Sequence, residues 1–385
     1  MTNKPSIPFG KPQISQAELD AVKAVFDSGM LVHGTVTPAF EEAFAKRIGT
    51  KHAVAVASCT AGMHLTLFVR EIGQGHKVAV PAMTHAATAH CVELAGATPV
   101  FVDVAPTTGN ICPDQLDALT EPLSVIMPVH YLGLTCEMDR IQATANRHGA
   151  FILEDCAVAL DAEYKGRKAG NLGLAGSFSF YPVKHMTSIE GGMVTTNDDQ
   201  LAAQLRKRRA FGYNKALGER SRPGLYDVDE LGFNYRMSEI EAAVGLAQMK
   251  RLNDFQAARA KNARALARAL KDVEELTILP PPSHERPSTN YCLNVVLPKD
   301  GSISREGVMD VLKEDGIGFS VHYPGAVPLF TYYKEKYGYK EGQFPVAEWL
   351  ASQTLSLPVG PHLTEGDPER IAEAVKDAVV KSRSS

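Results

Sequence analysis

Three short runs carry residue types and spacings suited to chemistry. The first is Ser177-Phe-Ser-Phe-Tyr-Pro-Val-Lys184, a lysine that follows an apolar, aromatic stretch and precedes Gly191-Gly192. Such surroundings desolvate an ammonium, lower its pKa and make the amine nucleophilic toward an aldehyde. A surface lysine in a loop is the competing reading. The second is Glu154-Asp155, at the end of the apolar run 150–153. A carboxylate at a strand's carboxyl end lies where active-site loops gather and can face a cationic ring nitrogen; a helix cap or turn competes. The third is Val56-Ala-Ser-Cys-Thr60-Ala61-Gly62, between a strand and a helix. Small residues and hydroxyls at a helix N-terminus let backbone N–H groups approach a phosphate. Many strand-to-helix turns look the same, and the pattern is not a nucleotide P-loop. In combination the three offer an amine for an aldehyde, an acid for a pyridinium and a cup for a phosphate, which are the needs of pyridoxal phosphate (PLP).

Elements that would position these runs are visible on both sides. Residues 15–18, Ser-Gln-Ala-Glu, form a capping box, and Leu19, Val22, Val25 and Phe26 follow at helical spacing. Thr37-Pro38 reads as an N-cap with proline at the first helical position, ahead of Phe40, Phe44 and Ile48 on one face. Strands are expected over 53–57, 77–80, 99–104, 125–129 and 150–154, with helices over 61–73, 84–94 and 136–148 between them. Short apolar strands alternating with amphipathic helices predict a mostly parallel sheet covered on both faces. A long helix starts at Ser238 and runs to about 271, before Pro280-Pro281-Pro282. Beyond it, 291–297, 305–314, 317–322 and 369–381 suggest a smaller α+β domain. The expected division is a large domain over 1–250 and a small C-terminal one over 251–385, with a ligand cleft at their junction.

Composition narrows the class. The 385 residues carry 40 Lys+Arg against 44 Asp+Glu, a net charge of −4, which argues against a nucleic-acid partner. No apolar run approaches the ~20 residues of a membrane helix, and the start lacks the apolar segment of a secretory signal. The six cysteines, at 59, 91, 112, 136, 156 and 292, contain no CxxC pair. Neither a metal site nor a disulfide framework is expected, and a cytoplasmic protein with reduced thiols is.

With these runs in place the chain resembles the DegT/DnrJ/EryC1/StrS family of PLP-dependent sugar aminotransferases, of fold type I. The resemblance extends over nearly the whole length. It is carried by Ser28-Gly-Met-Leu-Val-His-Gly34, Val80-Pro-Ala-Met-Thr84, Pro99-Val-Phe-Val-Asp103, Glu154-Asp155 and Phe180-Tyr-Pro-Val-Lys184. Gly232-Phe-Asn234-Tyr-Arg236, His322-Tyr-Pro324 and Ser356-Leu-Pro-Val-Gly-Pro-His-Leu-Thr364 complete the ordered set. The resemblance implies an α/β fold, with a PLP-binding domain built on a mostly parallel sheet and a smaller α+β domain. It implies transfer of an amino group from L-glutamate to a keto-sugar, in amino-sugar biosynthesis for a surface polysaccharide or related glycoconjugate.

Roles follow from the resemblance, position by position. Lys184 would bond the cofactor and shuttle the proton, and Asp155 would pair with the pyridine nitrogen. Thr60, Ala61 and Ser179 would hold the phosphate. Asn234 would reach the phosphate of the neighbouring subunit, which makes the active unit a homodimer with shared sites. His85 stands where an aromatic residue usually stacks on the ring, and His322 lies near the substrate. Two departures stand out. Val158 replaces a Gln or His that would hydrogen-bond the phenolic oxygen, and Ile189-Glu190-Gly191-Gly192 stands where Gly-Glu-Gly-Gly is usual. Dehydratase relatives carry histidine in place of the lysine. Here Lys184 is kept, with His185 beside it as an alternative base or substrate contact. A PLP-dependent dehydratase or lyase, and a non-catalytic PLP-binding regulator, are the alternatives; a nicotinamide oxidoreductase lacks its GxGxxG. Arg209, Tyr213, Lys215 and Arg220 form a basic stretch suited to a diphosphate or carboxylate, or simply to solvent.

Overall fold

The computed structural model describes residues 5–383 apart from 215–221, 223, 224 and 282–285. Two helices, α1 (Gln16–Ser28) and α2 (Val36–Ile48), precede the sheet. Then come β1 (His52–Val56), α3 (Cys59–Val69), β2 (Lys77–Pro81), α4 (Ala86–Leu94), β3 (Thr98–Val102), α5 (Pro113–Asp117), β4 (Val125–Ile126), α6 (Met138–His148) and β5 (Phe151–Asp155). A small hairpin, β6 (Glu163–Tyr164) and β7 (Arg167–Lys168), leads to β8 (Ala175–Ser179), β9 (Gly192–Thr196) and α7 (Asp199–Arg208). The seven-stranded sheet has the order β1-β9-β8-β5-β4-β2-β3. Its strands from β8 to β3 are parallel, whereas β9 runs antiparallel to both β1 and β8.

Both faces of this sheet are buried, and strand alternation shows how. Val54 and Val56 join one apolar cluster and Ala53 and Ala55 another. Leu153 goes with the first, whereas Ile152 packs against a third. Side chains two apart share a face, so Glu154 follows Ile152 and Asp155 follows Leu153.

The long helix α8 (Glu239–Leu270) has the expected capping box at Ser238 and passes through the expected division at 250 without a break. The second sheet has the order β10-β11-β12, from β10 (Thr277–Leu279), β11 (Leu293–Val296) and β12 (Thr354–Leu357). It packs with α9 (Arg305–Glu314), α12 (Asp367–Lys381) and the C-terminal part of α8 into a separate cluster. Two further helices, α10 (Thr331–Tyr337) and α11 (Pro345–Gln353), instead send Tyr333, Ala347 and Leu350 into the core of the large sheet. Among the described residues no helix is long and apolar enough to cross a membrane.

Three local expectations need correction. Thr37 is not an N-cap: α2 begins at Val36, and its Thr35 N-cap makes no side-chain bond. The Glu239 carboxylate of α8 caps it instead, accepting from the Val36 and Thr37 N–H groups and from Thr37 Oγ1. On α1 the capping box forms, but only Val25 of the expected apolar face is fully buried, at 3%; Leu19 and Phe26 are 57% and 58% exposed. The stretch 317–322 makes isolated bridges, Ile317 to Ile7 and Ser320 to Ser356, rather than a strand.

Candidate active site

A cavity of about 310 Å³ opens at the carboxyl ends of β1, β2 and β5. Its wall includes Thr60, His85, Asp155, Ser179 and Lys184 of the residues singled out above, together with Val158. Each is delivered by its local backbone. Asp155 is the last residue of β5, Ser179 the last of β8, and Lys184 lies in the loop that leads from β8 to β9. Thr60 sits in the first turn of α3, and His85 is the N-cap of α4, its Nδ1 accepting the Ala87 N–H.

The start of α3 is held at close quarters. Ser58 Oγ caps it by accepting the Ala61 N–H at 3.0 Å, and Ser177 Oγ on β8 donates to the Cys59 carbonyl at 2.9 Å. Ala61 is therefore at the turn, but its amide serves the cap. A Cβ on Gly192 would stand 2.4 Å from the Ser58 carbonyl carbon and 2.5 Å from the Cys59 nitrogen, so only glycine lets β9 pass the turn. The positive end of α3 thus faces the cavity beside two hydroxyls, Thr60 and Ser179, a setting that favours an anion.

Asp155 is anchored on both oxygens. Oδ1 accepts the Ala157 N–H at 3.0 Å, and Oδ2 accepts from Thr88 Oγ1 at 2.8 Å, which in turn is 2.8 Å from Thr84 Oγ1. Its neighbour Glu154 has a different task. Fully buried on the opposite face, it accepts from the N–H groups of Gly170, Leu172 and Gly173, each at 2.8 Å, and from His130 Nε2 at 2.9 Å. His130 Nδ1 accepts the Cys136 N–H, so the ring proton sits on Nε2. His130, Glu154 and Cys156 bring three ligand-type atoms within 4.8 Å, but those of His130 and Glu154 are spent in these bonds.

Burial lowers the pKa of Lys184, opposed by Cys59, Asp155 and Cys292 nearby. The amine lies 5.0 Å from the centre of the Tyr291 ring. Burial also lowers the pKa of His85, with Lys184 adding to the effect. His322 is set back from the cavity wall: its Nδ1 is 2.8 Å from Ser356 Oγ and its ring packs on Phe9, Tyr291 and Tyr323. Burial holds its pKa down to about 3, so it is neutral near pH 7.

Other expectations fall elsewhere. His185 turns away from the cavity, with Nε2 3.2 Å from the Thr289 carbonyl and its ring against Tyr291. Asn234 is exposed, bridged to Ala210, and does not line this cavity. Arg209 is turned into the fold, where it donates to Glu41 and the Ala55 carbonyl. Lys215 and Arg220 lie outside the described residues. Ile189 adopts φ 76°, a left-handed conformation that costs a β-branched residue and that glycine takes freely. Residues of the wall that sequence reasoning passed over include Cys59, Tyr181 and Tyr323, with Thr88 behind it, and Glu190, noted above only as part of a departure, lines it too. Tyr323 was within reach as the neighbour of His322, and Thr88 stands one turn into the helix that His85 caps.

The arrangement sets an amine, an anchored carboxylate and an anion-binding turn around one cavity. A model of the DegT/DnrJ/EryC1/StrS aminotransferase family matches residues 12–376. The chain belongs to this family. The spore coat polysaccharide biosynthesis protein SpsC of Bacillus subtilis is 38% identical over 380 residues, 97% of each chain. Among solved structures, the putative sugar aminotransferase Spr1654 of Streptococcus pneumoniae matches with a TM-score of 0.92 at 27% identity, over 98% of this chain and 100% of that one. PseC of Helicobacter pylori, an aminotransferase involved in pseudoaminic acid biosynthesis, matches with a TM-score of 0.90 at 27% identity, over 97% and 99%. The DegT/DnrJ/EryC1/StrS fold type I architecture is thus shared from end to end.

Proposed function

We propose that this enzyme uses PLP, held in the 310 Å³ cavity, to move an amino group from L-glutamate to a keto-sugar for a surface polysaccharide or related glycoconjugate. The observation that carries the reading is the convergence of Lys184, Asp155, Thr60 and Ser179 on that one cavity. These residues fit the cofactor: an amine for its aldehyde, a carboxylate for its ring nitrogen, and hydroxyls with a helix N-terminus for its phosphate. The relatives agree in kind, since Spr1654 is known in PLP and PMP forms.

When bound, PLP supplies an electron sink for the charge left on the donor's α-carbon. Lys184 would hold the cofactor through its aldehyde, and its amine would move the proton between the donor's α-carbon and the cofactor's C4′. Its lowered pKa keeps more of the amine in the neutral, basic form. Asp155 holds a proton on the ring nitrogen, and Thr88 and the Ala157 N–H fix its two oxygens for that contact. The Val158 side chain carries no polar atom, so another group or a water would have to meet the cofactor's phenolic oxygen.

The working unit is a homodimer. Met30 lines a groove of about 600 Å³ between α1 and α8, and Ile14, Leu19, Phe26, Leu31 and Val32 are exposed apolar side chains on or next to α1. An apolar patch of this kind suits a second copy, and the exposed Asn234 suits a partner's phosphate. Mixing Lys184→Ala with Asn234→Asp protein tests the shared site: activity regained on mixing supports it, and none regained removes it.

The test of the chemistry is the absorption spectrum of the purified enzyme before and after L-glutamate. A visible band that gives way to the near-ultraviolet band of pyridoxamine phosphate is expected in wild type and not in Lys184→Ala. Multiple-turnover transamination by Lys184→Ala would defeat the assignment of the lysine.

A further inference from the structure

A smaller cavity, of about 20 Å³, borders the same lysine loop, between the N-terminal segment, α8 and Gly360–His362. Arg259 of α8 reaches it with its side chain 6% exposed. One terminal nitrogen, Nη1, donates to the Tyr291 carbonyl at 2.9 Å, and the other, Nη2, to the Lys184 carbonyl at 3.2 Å. Nε is buried without a hydrogen-bond partner, and among the described residues no carboxylate lines this cavity. Burial pulls the guanidinium's pKa down to about 10. A buried cation without a counter-charge is costly, and an apolar side chain of similar volume would fill the space at less cost. Packing alone does not account for arginine here; the two directed bonds do.

Those bonds tie together two groups whose side chains meet beside the active site. The Tyr291 ring is the face against which the Lys184 amine lies, 5.0 Å from its centre. Lys184 belongs to the loop after β8, and Tyr291 to the approach to β11 in the second sheet. A guanidinium's planar fork holds two acceptors in one fixed geometry, which an ammonium's rotatable donors do not. Building on Lys184 as the residue that bonds PLP, we propose that Arg259 is a positioning residue, which sets the lysine amine against the Tyr291 ring by holding both main-chain carbonyls.

The test uses the PLP-loaded enzyme with Arg259→Met and Arg259→Lys. Expected for Arg259→Met is a fall in kcat of up to about a hundredfold, with the KM for L-glutamate little changed. The pH at which the lysine-linked chromophore changes colour should shift as well. Arg259→Lys, which keeps a cation but not the rigid fork, should recover only part of each. Lower thermal stability with kcat and the colour midpoint of wild type would overturn the proposal and leave Arg259 a purely structural residue. If Arg259→Met does not fold, Arg259→Lys decides: a wild-type midpoint overturns the proposal and a shifted one supports it. Failure of the underlying reading is separable, because it would appear in wild type as no lysine-linked chromophore at all.

Discussion

Glu154 and Asp155 are chain neighbours with the same charge, and the structure gives them opposite consequences on mutation. Consider Glu154→Gln. One oxygen of the amide still accepts from Leu172 and Gly173. The other position becomes an NH₂ that faces two donors, the Gly170 N–H and His130 Nε2–H. Moving the histidine proton to Nδ1 offers no escape, because Nδ1 accepts the Cys136 N–H. Two charge-assisted bonds are lost in a fully buried place; at about 1.5–3 kcal/mol each, the cost is about 3–6 kcal/mol. Asp155→Asn differs. Its oxygen keeps the Ala157 N–H, and its NH₂ donates to Thr88 Oγ1, whose hydroxyl hydrogen turns toward another acceptor. Stability should change by less than about 1 kcal/mol, while transamination falls by several orders of magnitude, because an amide cannot hold the ring nitrogen protonated. Urea unfolding of the two apoproteins, read by midpoint at constant slope, measures the first contrast. Single-turnover reaction with L-glutamate measures the second. Glu154→Gln as stable as wild type, or Asp155→Asn with full activity, would refute the division of labour drawn from strand alternation.

Two further outcomes follow from the same geometry. Folding lowers the pKa of Lys184 below the ordinary 10.5, so between the two values the unfolded chain binds a proton that the folded one lacks. The lysine's contribution to apoprotein stability is therefore full above 10.5 and is lost as the pH falls through the folded value. Lys184→Met apoprotein should be the more stable near neutral pH, with the gain shrinking toward pH 10.5 in thermal melts; a constant difference across pH would show that the amine carries no burial penalty. Gly192→Ala places a methyl against main-chain atoms of Ser58 and Cys59 and 2.7 Å from the Phe178 carbonyl oxygen. None of these can swing aside, so a loss of at least about 1–3 kcal/mol and weaker PLP retention are expected, checked by denaturation and by dialysis against buffer.

What was legible in the sequence was what local backbone decides. The end of β5 and the first turn of α3 each set a side chain by strand alternation or helix entry, and Asp155 and Thr60 line one cavity, joined by Ser179 at the end of β8, which only the resemblance singled out. Lys184 arrives too, although nothing local separated it from His185; the turns between β8 and β9 send the one to the cavity and the other to the Thr289 carbonyl. The strands β8 and β9 were hidden for a related reason. Gly176 and Gly192 weaken their strand signal, yet each is required by a backbone approach: a Cβ on Gly176 would stand 2.3 Å from the Gly170 Cα. Thr37 misled because its helix is capped by Glu239, 202 residues away, and no window of sequence contains both.

The exposed face of α1 shows the same limit from the other side. Periodicity tells that Leu19, Val22, Val25 and Phe26 share one side of a helix; it does not tell what that side meets. Within one chain only Val25 finds a fully buried place, while Leu19 and Phe26 remain in solvent. An apolar stripe not absorbed by the chain's own core suits a second surface. The capping box at Ser15 fixes the helix without that surface, with Glu18 held further by Gln248 and Arg251 of α8, so the face is presented ready-made rather than folded on contact. Association through it would therefore cost little ordering, the condition under which an apolar face of modest size forms a stable dimer.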